Sequence, residues 1–516
     1  MKGRQYTDWT GLARLYARAR TRRIEGTLAE VAQRDLLRKL LAKASKTKFG
    51  KAHNFDEIED IEDFQRNVPI RGYDQFWQEW WQPDFPELVD VCWPGKIPFF
   101  TMTSGTTSGR SKYIPYTNHM RRAAVRGFLD LLCFHLKSRP HSRLLGGAVL
   151  ALTGPVALEN RAKGAALAAV SAVTAAAVPN WLQHRVLPPS ELANVEDWQE
   201  KIARLSPIAL TDDVRCLGGS PNWLLIFLAE VAKHSSSPDA QLKDWFPNLE
   251  LIIHGGVNFA PYRDEFAALL KGSHAETREM YSASEGVFAY ADRGDGEGLR
   301  LHLDGSVFFE FVDPAQLQHS SPDRRWIETV EANKDYALVI TSAAGLWSYV
   351  VGDVVRFVEL DPPRLIVVGR VQQGLSTFGE HLIETEITEA ISAAAHDQNT
   401  TILDYSVGTL RDETGGYHLY LVEPMQGVEG FSAVEFAKRV DRRLSELNED
   451  YEELRRNQAI GAPQAKMVKP GGFARWMKLR RGLGGQNKIP RIVTDTELFR
   501  DIRDIVLDPK GETDDP

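Results

Sequence analysis

The sequence predicts an α/β body followed by a smaller α+β domain, and three observations carry that prediction. The chain has 516 residues, too many for one ordinary core, so two or more domains are expected. Short aliphatic runs bounded by turn residues alternate with helix-length segments up to about residue 370, the signature of strands mixed with helices. Near Gly369 and Arg370 the pattern changes to a shorter series of helix, two strands and helix.

Residues 28–48 and 120–137 read as amphipathic helices. In the second, Val125, Phe128, Leu129, Leu132 and Leu136 recur at three-to-four spacing, which predicts a buried stripe. Asn118 stands where an N-cap is expected. The runs "LLGGAVLAL" (144–152), "LELIIHGG" (249–256), "VFFEFV" (307–312) and "YALVITS" (336–342) read as buried strands. Between them "PNWLLIFLAEVAKH" (221–234) reads as a helix. The Ala-rich run 164–178 is shorter than the ~20 residues that span a bilayer and reads as a buried or half-buried helix.

Pro362 and Pro363 sit just before the change of pattern. The expected division is 1–370 and 371–516. Beyond it "IETEITEAISAAA" (383–395) reads as a helix, and "TILDYSVGTL" and "YHLYLVEP" read as strands around the turn signal "DETGG". "FSAVEFAKRVDRRLSEL" (431–447) reads as a helix, with Ser432 and Glu435 at capping-box spacing.

Composition narrows the function. Net charge is −8, hydrophobic content 43% and charged content 26%, as in ordinary globular proteins. No long basic block is present, so nucleic acid is not an expected partner. Cys92, Cys133 and Cys216 are far apart and odd in number, with no CxxC pair. That argues against a disulfide framework or zinc site and for a reducing cytoplasm. The N-terminus "MKGRQYTDWTGLARLYARAR" lacks the apolar core of a signal peptide. Its Arg-rich, helical character is like a transit peptide, but Glu25 and Glu30 follow soon and argue against one.

Chemistry concentrates in three stretches. In "TSGTTSGRSKYIPYT" (103–117) glycines expose bare backbone among hydroxyls. Such N–H groups approach an anion closely, and hydroxyls donate to phosphate oxygens. Lys112 adds a compact positive charge. This is not a Walker A loop, because Gly109 follows Gly105 one residue early and Arg110 comes next. "YSASEG" (281–286) sets an aromatic ring, two hydroxyls and a carboxylate beside a glycine, and "YVVGDVVRF" (349–357) sets Gly352 and Asp353 among β-branched residues. Taken singly, these are also a polar loop, a helix start and a turn.

In this order the three stretches resemble the adenylate-forming enzymes, and more narrowly the GH3 auxin-responsive promoter family of acyl-acid amido synthetases. That family carries S-S/G-G-T-T-x-G-x-x-K, then Y-x-S-S-E, then Y-R-x-G-D. "FQRNVPIRGYDQF" (64–76), "HGGVNFAPYRDEF" (254–266) and "GGQNKIPRIV" (484–493) resemble further segments of the family. The last is similar to its Gln-x-Lys-x-Pro-Arg signature. The resemblance runs from about residue 28 to the C-terminus. Val350 stands where the family usually has Arg, and Ala283 where a Ser is common.

The resemblance implies a large N-terminal adenylate-forming domain, a small mobile C-terminal domain, and ATP with Mg²⁺ as cofactors. It implies small carboxylic acid and amine or amino-acid substrates, with no integral membrane contact. Ser104, Gly105, Thr106, Thr107 and Lys112 would hold the β- and γ-phosphates. Glu285 would hold Mg²⁺, and Ser284 would touch the α-phosphate. Gly256 and Val257 would lie on the adenine side, with Tyr281 stacked on the base. Asp353 would accept from the ribose hydroxyls, Arg370 would approach from the hinge, and Lys488 would reach the α-phosphate and acyl oxygen. Each has a plainer reading: Lys488 in a solvated basic face, Glu285 as a helix cap, Tyr281 as core. His254 reads as a hydrogen-bonded structural residue. Helix 120–137 and "CLGGSPNWLLIFL" (216–228) are implied to line the acyl pocket; Trp223, Leu224 and Phe227 suit either an apolar acid or core packing. Two other readings are a ligase that passes the acyl group to a thiol such as coenzyme A, and a non-catalytic acyl- or nucleotide-binding protein. The acid, the amine and the oligomeric state are not readable from the sequence.

Overall fold

The computed structural model describes residues 4–103, 112–153, 166–168, 183–195, 197–235, 240–257, 259–317, 319, 321–371, 374–375, 378, 380, 382–412, 415–425, 430–457, 459–480 and 489–507. Two compact units emerge. The first takes the chain up to Thr103, then Lys112–Val257 and Leu270–Val367; the second gathers 259–269 with 368–507.

The first unit is built on a 12-stranded sheet. From one edge its strands are Arg324–Trp326, Val307–Val312, Asp335–Ser342, Leu346–Leu360, Pro363–Arg370, Leu299–Leu301, Gly286–Tyr290, Glu276–Ala283, Leu251–His254, Val214–Gly219, Ala148–Ala151 and Val186–Leu187. The last five pair in parallel. Most of these strands are short aliphatic runs buried on both faces, and helices such as Trp198–Leu210 and Pro221–His234 make the crossovers. At Glu276–Ala283 the pairing turns antiparallel, beginning with the hairpin to Gly286–Tyr290. A small second sheet joins Lys112–Tyr116, Phe99–Thr103 and Ala166–Ala168.

The strand Val307–Val312 and the helix Pro221–His234 form over the expected residues. Other elements differ for local reasons. Residues 28–48 form two helices, Ala29–Ala44 and Lys48–Ala52, because Thr47 caps the second by accepting from Gly50 N at 3.0 Å. The next predicted helix runs Asn118–Ser138, and its cap is Thr117, not Asn118; Thr117 Oγ1 accepts from Met120 N at 3.3 Å. Its buried face is Met120, Ala123, Ala124, Gly127, Leu131 and Phe134, while Leu129 of the expected stripe is 41% exposed. Small residues let this helix approach the sheet: a Cβ on Gly127 would stand 2.9 Å from Val287 Cγ1. The Ala-rich run expected as a helix contains the strand Ala166–Ala168, parallel to Phe99–Thr101; the rest of 164–178 lies outside the described residues.

The second unit holds a four-stranded sheet in the order Gln464–Met467, Gly415–Pro424, Ile402–Asp412, Ile492–Val493. Helices Glu384–His396 and Ala433–Leu447 accompany it, near their expected bounds. Ile387, Ile391, Val407, Val422, Phe436 and Val440 form its core. The capping box at Ser432 is half formed. Ser432 Oγ accepts from Glu435 N at 3.3 Å, but the Ser432 N–H goes to Gln398 Oε1 at 2.9 Å. A neighbouring side chain has taken the place of the reciprocal Glu. Among the described residues, no helix is long and apolar enough to cross a membrane.

Candidate active site

The parallel strands deliver their C-terminal ends to one edge. Gly219 is level with His254, and His254 with Glu279. Gly256 and Val257 follow Leu251–His254, and the turn Ser284–Glu285 follows Glu276–Ala283. In open α/β sheets this edge is where ligands bind.

The turn is fixed from two sides. Thr101 Oγ1 lies 3.0 Å from Ser284 O and 3.3 Å from Ile114 O, a donor shared between them. This ties the turn to the hairpin Phe99–Thr103/Lys112–Tyr116, whose register pairs Thr103 with Lys112. The expected phosphate residues Ser104, Gly105, Thr106 and Thr107 lie outside the described residues. Gly286 follows Glu285 with φ +155°, and a Cβ there would stand 2.9 Å from Met120 Cε.

Strand Leu346–Leu360 brings in the remaining groups. Gly352 has φ +95°, a conformation that favours glycine, and it bends the strand just ahead of Asp353. Tyr281 Oη donates to Asp353 Oδ2 at 2.6 Å, and Tyr349 Oη donates to Glu285 Oε1 at 3.3 Å. All four side chains are buried: Tyr281 7%, Glu285 7%, Tyr349 2% and Asp353 8% exposed. Residues distant in sequence thus form two phenol–carboxylate pairs. A hydrogen bond to an ionised carboxylate is among the stronger kinds. It fixes the direction in which the anion points.

Segment 64–76 braces the strand that carries Tyr349. Arg71 N donates to Ser348 O at 3.0 Å, and Val350 N donates to Arg71 O at 2.9 Å, bracing Tyr349 from its own backbone. Ser348 Oγ donates to Glu310 Oε2 at 3.1 Å, and Arg324 Nη2 donates to Ser348 Oγ at 2.6 Å. Tyr73 Oη accepts from Tyr113 N at 3.0 Å, and Lys112 Nζ stands 5.3 Å from the centre of the Tyr73 ring. Burial raises the Tyr73 pKa, so it stays a neutral phenol.

The structure brings Tyr281, Ser284, Glu285 and Asp353 together. Tyr281 directs its hydroxyl to Asp353 and sets its ring at 5.1 Å, edge-on, to Phe288. Arg370 is half-buried at the end of Pro363–Arg370, in the second unit. Lys488 lies outside the described residues. Trp223, Leu224 and Phe227 are all buried, and Trp223 stacks edge-on against Trp198 at 4.4 Å. They are core. Tyr349 and Arg71 are the residues that reading by motif left without a role. Their only signal was to lie inside stretches already marked as similar to the family.

In the second unit Tyr262 is fully buried. It donates to Leu403 O at 3.2 Å and accepts from Arg491 Nη2 at 2.8 Å. The Arg491 guanidinium sits 4.9 Å from the Tyr405 ring centre, and its Nε lies 3.7 Å from Asp404 Oδ1. Tyr262 and Arg491 come from the second and last of the segments similar to the family.

A carboxylate held by a phenol and accompanied by a backbone turn suits a hard cation. Mg²⁺ takes one or two carboxylates plus substrate phosphates rather than an all-protein cage, and Glu285 fits that pattern.

Comparison with known proteins bears on the family and the fold. The GH3 family N-terminal domain matches residues 25–219, the central domain 300–370 and the C-terminal domain 385–497. Indole-3-acetic acid-amido synthetase GH3.3 of Arabidopsis thaliana is 24% identical over 316 residues, 58% of this chain and 52% of that protein. The chain thus spans about half the length of that curated relative. The solved GH3.15 acyl acid amido synthetase superposes with a TM-score of 0.77 at 18% identity, covering 97% of each chain. A 2-hydroxyisobutyryl-CoA ligase in the postadenylation state gives 0.60 at 15% identity over 92% of this chain and 91% of its own. The fold is that of the adenylate-forming enzymes. With three successive domain matches in order along the sequence, the chain belongs to the GH3 family.

Proposed function

We propose that this protein activates a small carboxylic acid with ATP and transfers the acyl group to an amine such as an amino acid. A carboxylate does not react readily with an amine, because oxide would have to leave. Attack of a carboxylate oxygen on the α-phosphorus of ATP solves this. The bond from that phosphorus to the bridging oxygen breaks and pyrophosphate departs. An acyl-adenylate remains. The amine nitrogen then attacks the acyl carbon, the bond to AMP breaks, and the nitrogen releases its proton.

Catalysis of the first half is positioning and charge neutralisation. Ser104, Gly105, Thr106, Thr107 and Lys112 hold the terminal phosphates. Ser284 touches the α-phosphate. Asp353, oriented by Tyr281, takes the ribose hydroxyls, with Gly256 and Val257 on the adenine side. Arg370 approaches the nucleotide, and Lys488 meets the charge that develops on the acyl oxygen. Glu285 would hold Mg²⁺, which supplies neutralising charge to the phosphates when bound. Residues 371–516 act as a mobile domain carrying Lys488, so the reaction depends on closure. The three cysteines, all buried and unpaired, support a cytoplasmic setting.

The observation that carries this reading is the convergence of Tyr281 on Asp353 at 2.6 Å and of Tyr349 on Glu285 at 3.3 Å. The test is exchange of labelled pyrophosphate into ATP across a panel of carboxylic acids. Positive acids are then offered with amines and, separately, with thiols. Acid-dependent exchange with amide product is expected. ATP binding with no exchange for any acid, or transfer to thiols alone, would refute the proposal.

A further inference from the structure

Helix Thr10–Glu25 has two unlike faces. Its inner face is built into the first unit: Ala17 and Thr21 are buried, and Arg20 forms a two-point pair with Asp130, Nη2 to Oδ2 at 2.7 Å. Arg14 Nη2 donates to Ser142 O at 2.7 Å. The helix is therefore a fixed part of the fold.

Its outer face is apolar and basic. Trp9 is 42% exposed, Leu12 and Leu15 63%, Tyr16 55%, and just beyond the helix Leu28 is 64% and Val31 45% exposed. Of the 14 large apolar side chains exposed among the described residues, these six fall within residues 9–31. Leu12, Leu15, Tyr16 and Ala19 recur at three-to-four spacing and so share one side of the helix. Arg18, Arg22 and Arg23 are exposed beside them, and none has an acidic partner among the described residues. The chain as a whole carries a net charge of −8, so this local excess of arginine runs against its composition.

We propose that this face seats the protein on an anionic lipid bilayer. An amphipathic helix of this kind lies in the plane of the interface, with apolar side chains among the acyl chains and arginines against the lipid phosphates. Trp and Tyr favour the headgroup level, where Trp9 and Tyr16 flank Leu12. A second copy of this chain is the poorer occupant. A two-fold contact would set like patches against each other and bring unpaired arginines together. Seating is peripheral.

The test is co-sedimentation of the full chain with vesicles of phosphatidylcholine alone and of phosphatidylcholine with phosphatidylserine. Binding only to the second kind is expected, weakened by salt. The triple variant Arg18→Gln, Arg22→Gln, Arg23→Gln should lose about fivefold in affinity for each arginine removed. The double variant Leu12→Ser, Leu15→Ser should lose binding to the same vesicles. Circular dichroism and thermal unfolding of both variants should match the parent. The proposal is overturned if phosphatidylserine adds nothing, or if both variants still bind. It is also overturned if soluble polyglutamate binds as tightly as the vesicles, or if sedimentation velocity shows a dimer that the leucine variant dissolves.

Discussion

In the first unit, Tyr281 and Tyr349 give their hydroxyl protons to the carboxylates of Asp353 and Glu285. In the second, Tyr262 does the reverse and accepts from the buried guanidinium of Arg491. Its remaining proton goes to the backbone at Leu403. The same side chain thus serves two ends. A phenol that donates to an anion orients a charge that cations and hydroxyls can meet. A phenol that accepts from a cation while donating to the backbone closes a knot. Burial pushes the Tyr262 hydroxyl up to about 12, so it stays neutral and can do both. Under the proposed function the first pairs serve chemistry, while the second ties 259–262 to Arg491. Substitutions that separate activity from stability are the way to break this contrast.

The largest effect is expected at Glu285. Glu285→Gln keeps the shape and an acceptor for Tyr349 but removes the charge. Acid-dependent pyrophosphate exchange should fall by about 10²–10³, with the unfolding midpoint nearly unchanged. An equal loss of both would make Glu285 a structural carboxylate, and the contrast between the units would fail.

How much of this was legible in the sequence depends on what each residue had to reveal. Val307–Val312 and Pro221–His234 announced themselves because an apolar run with turn residues at its ends has few other uses. Helix Asn118–Ser138 was visible, but only part of its buried face was. Leu136 of the expected stripe is buried, with Phe128 and Leu132 packed beside it, whereas Ala123, Ala124 and Gly127 were missed, because small residues matter here through the distance they allow rather than through hydrophobicity. Ala166–Ala168 carries no period that separates strand from helix, so its pairing with Phe99–Thr101 decides. Glu285, Asp353 and Tyr281 were singled out by resemblance. That Tyr281 points its hydroxyl at Asp353 was not, because a hydrogen bond between residues 281 and 353 leaves no local pattern, and Tyr349 was not singled out at all. That 259–269 groups with 368–507 was equally silent, since the tie runs through Tyr262 and Arg491.

The next effect belongs to the second unit and depends on pH. Glu423, 8% exposed, accepts from Gly471 N at 2.7 Å at the start of helix Gly472–Arg480. Burial lifts its pKa to about 7 despite that bond. Between about pH 4.5, where an unfolded Glu releases its proton, and pH 7, the folded chain holds a proton that the unfolded chain has lost. Stability should therefore fall as pH rises through this window, by roughly 3 kcal/mol at most, and level off above it. Denaturant unfolding at several pH values should show the slope, and Glu423→Gln should flatten it. A variant with the parental slope would assign the dependence to another group.

Smaller again is Tyr349→Phe. Glu285 keeps its charge but loses the donor that directs it. A hydrogen bond to a charged group is worth about 1.5–3 kcal/mol, so exchange should fall by ten- to a hundredfold, toward the lower end because the 3.3 Å bond is long. The loss should appear as a weaker response to added Mg²⁺ rather than to ATP. Tyr281→Phe, acting on Asp353, should weaken ATP instead. Interchanged responses would reverse the roles given to the two carboxylates.

Tyr262→Phe gives the smallest effect and the sharpest contrast. The ring still fills its site, and only the hydroxyl is lost. Arg491 would lose its 2.8 Å acceptor but keep the Tyr405 ring at 4.9 Å and Asp404 at 3.7 Å. Leu403 O would lose a donor at 3.2 Å. Because the cation keeps two partners, the net cost should be about 1 kcal/mol rather than the full value of an orphaned charge. It should appear as a lower unfolding midpoint, with pyrophosphate exchange within about twofold of the parent at temperatures where the chain is folded. Arg491→Met should cost more, since it leaves both tyrosines and Asp404 without their cation. If Tyr262→Phe instead abolished exchange at unchanged stability, the Tyr262 hydroxyl would belong to the chemistry.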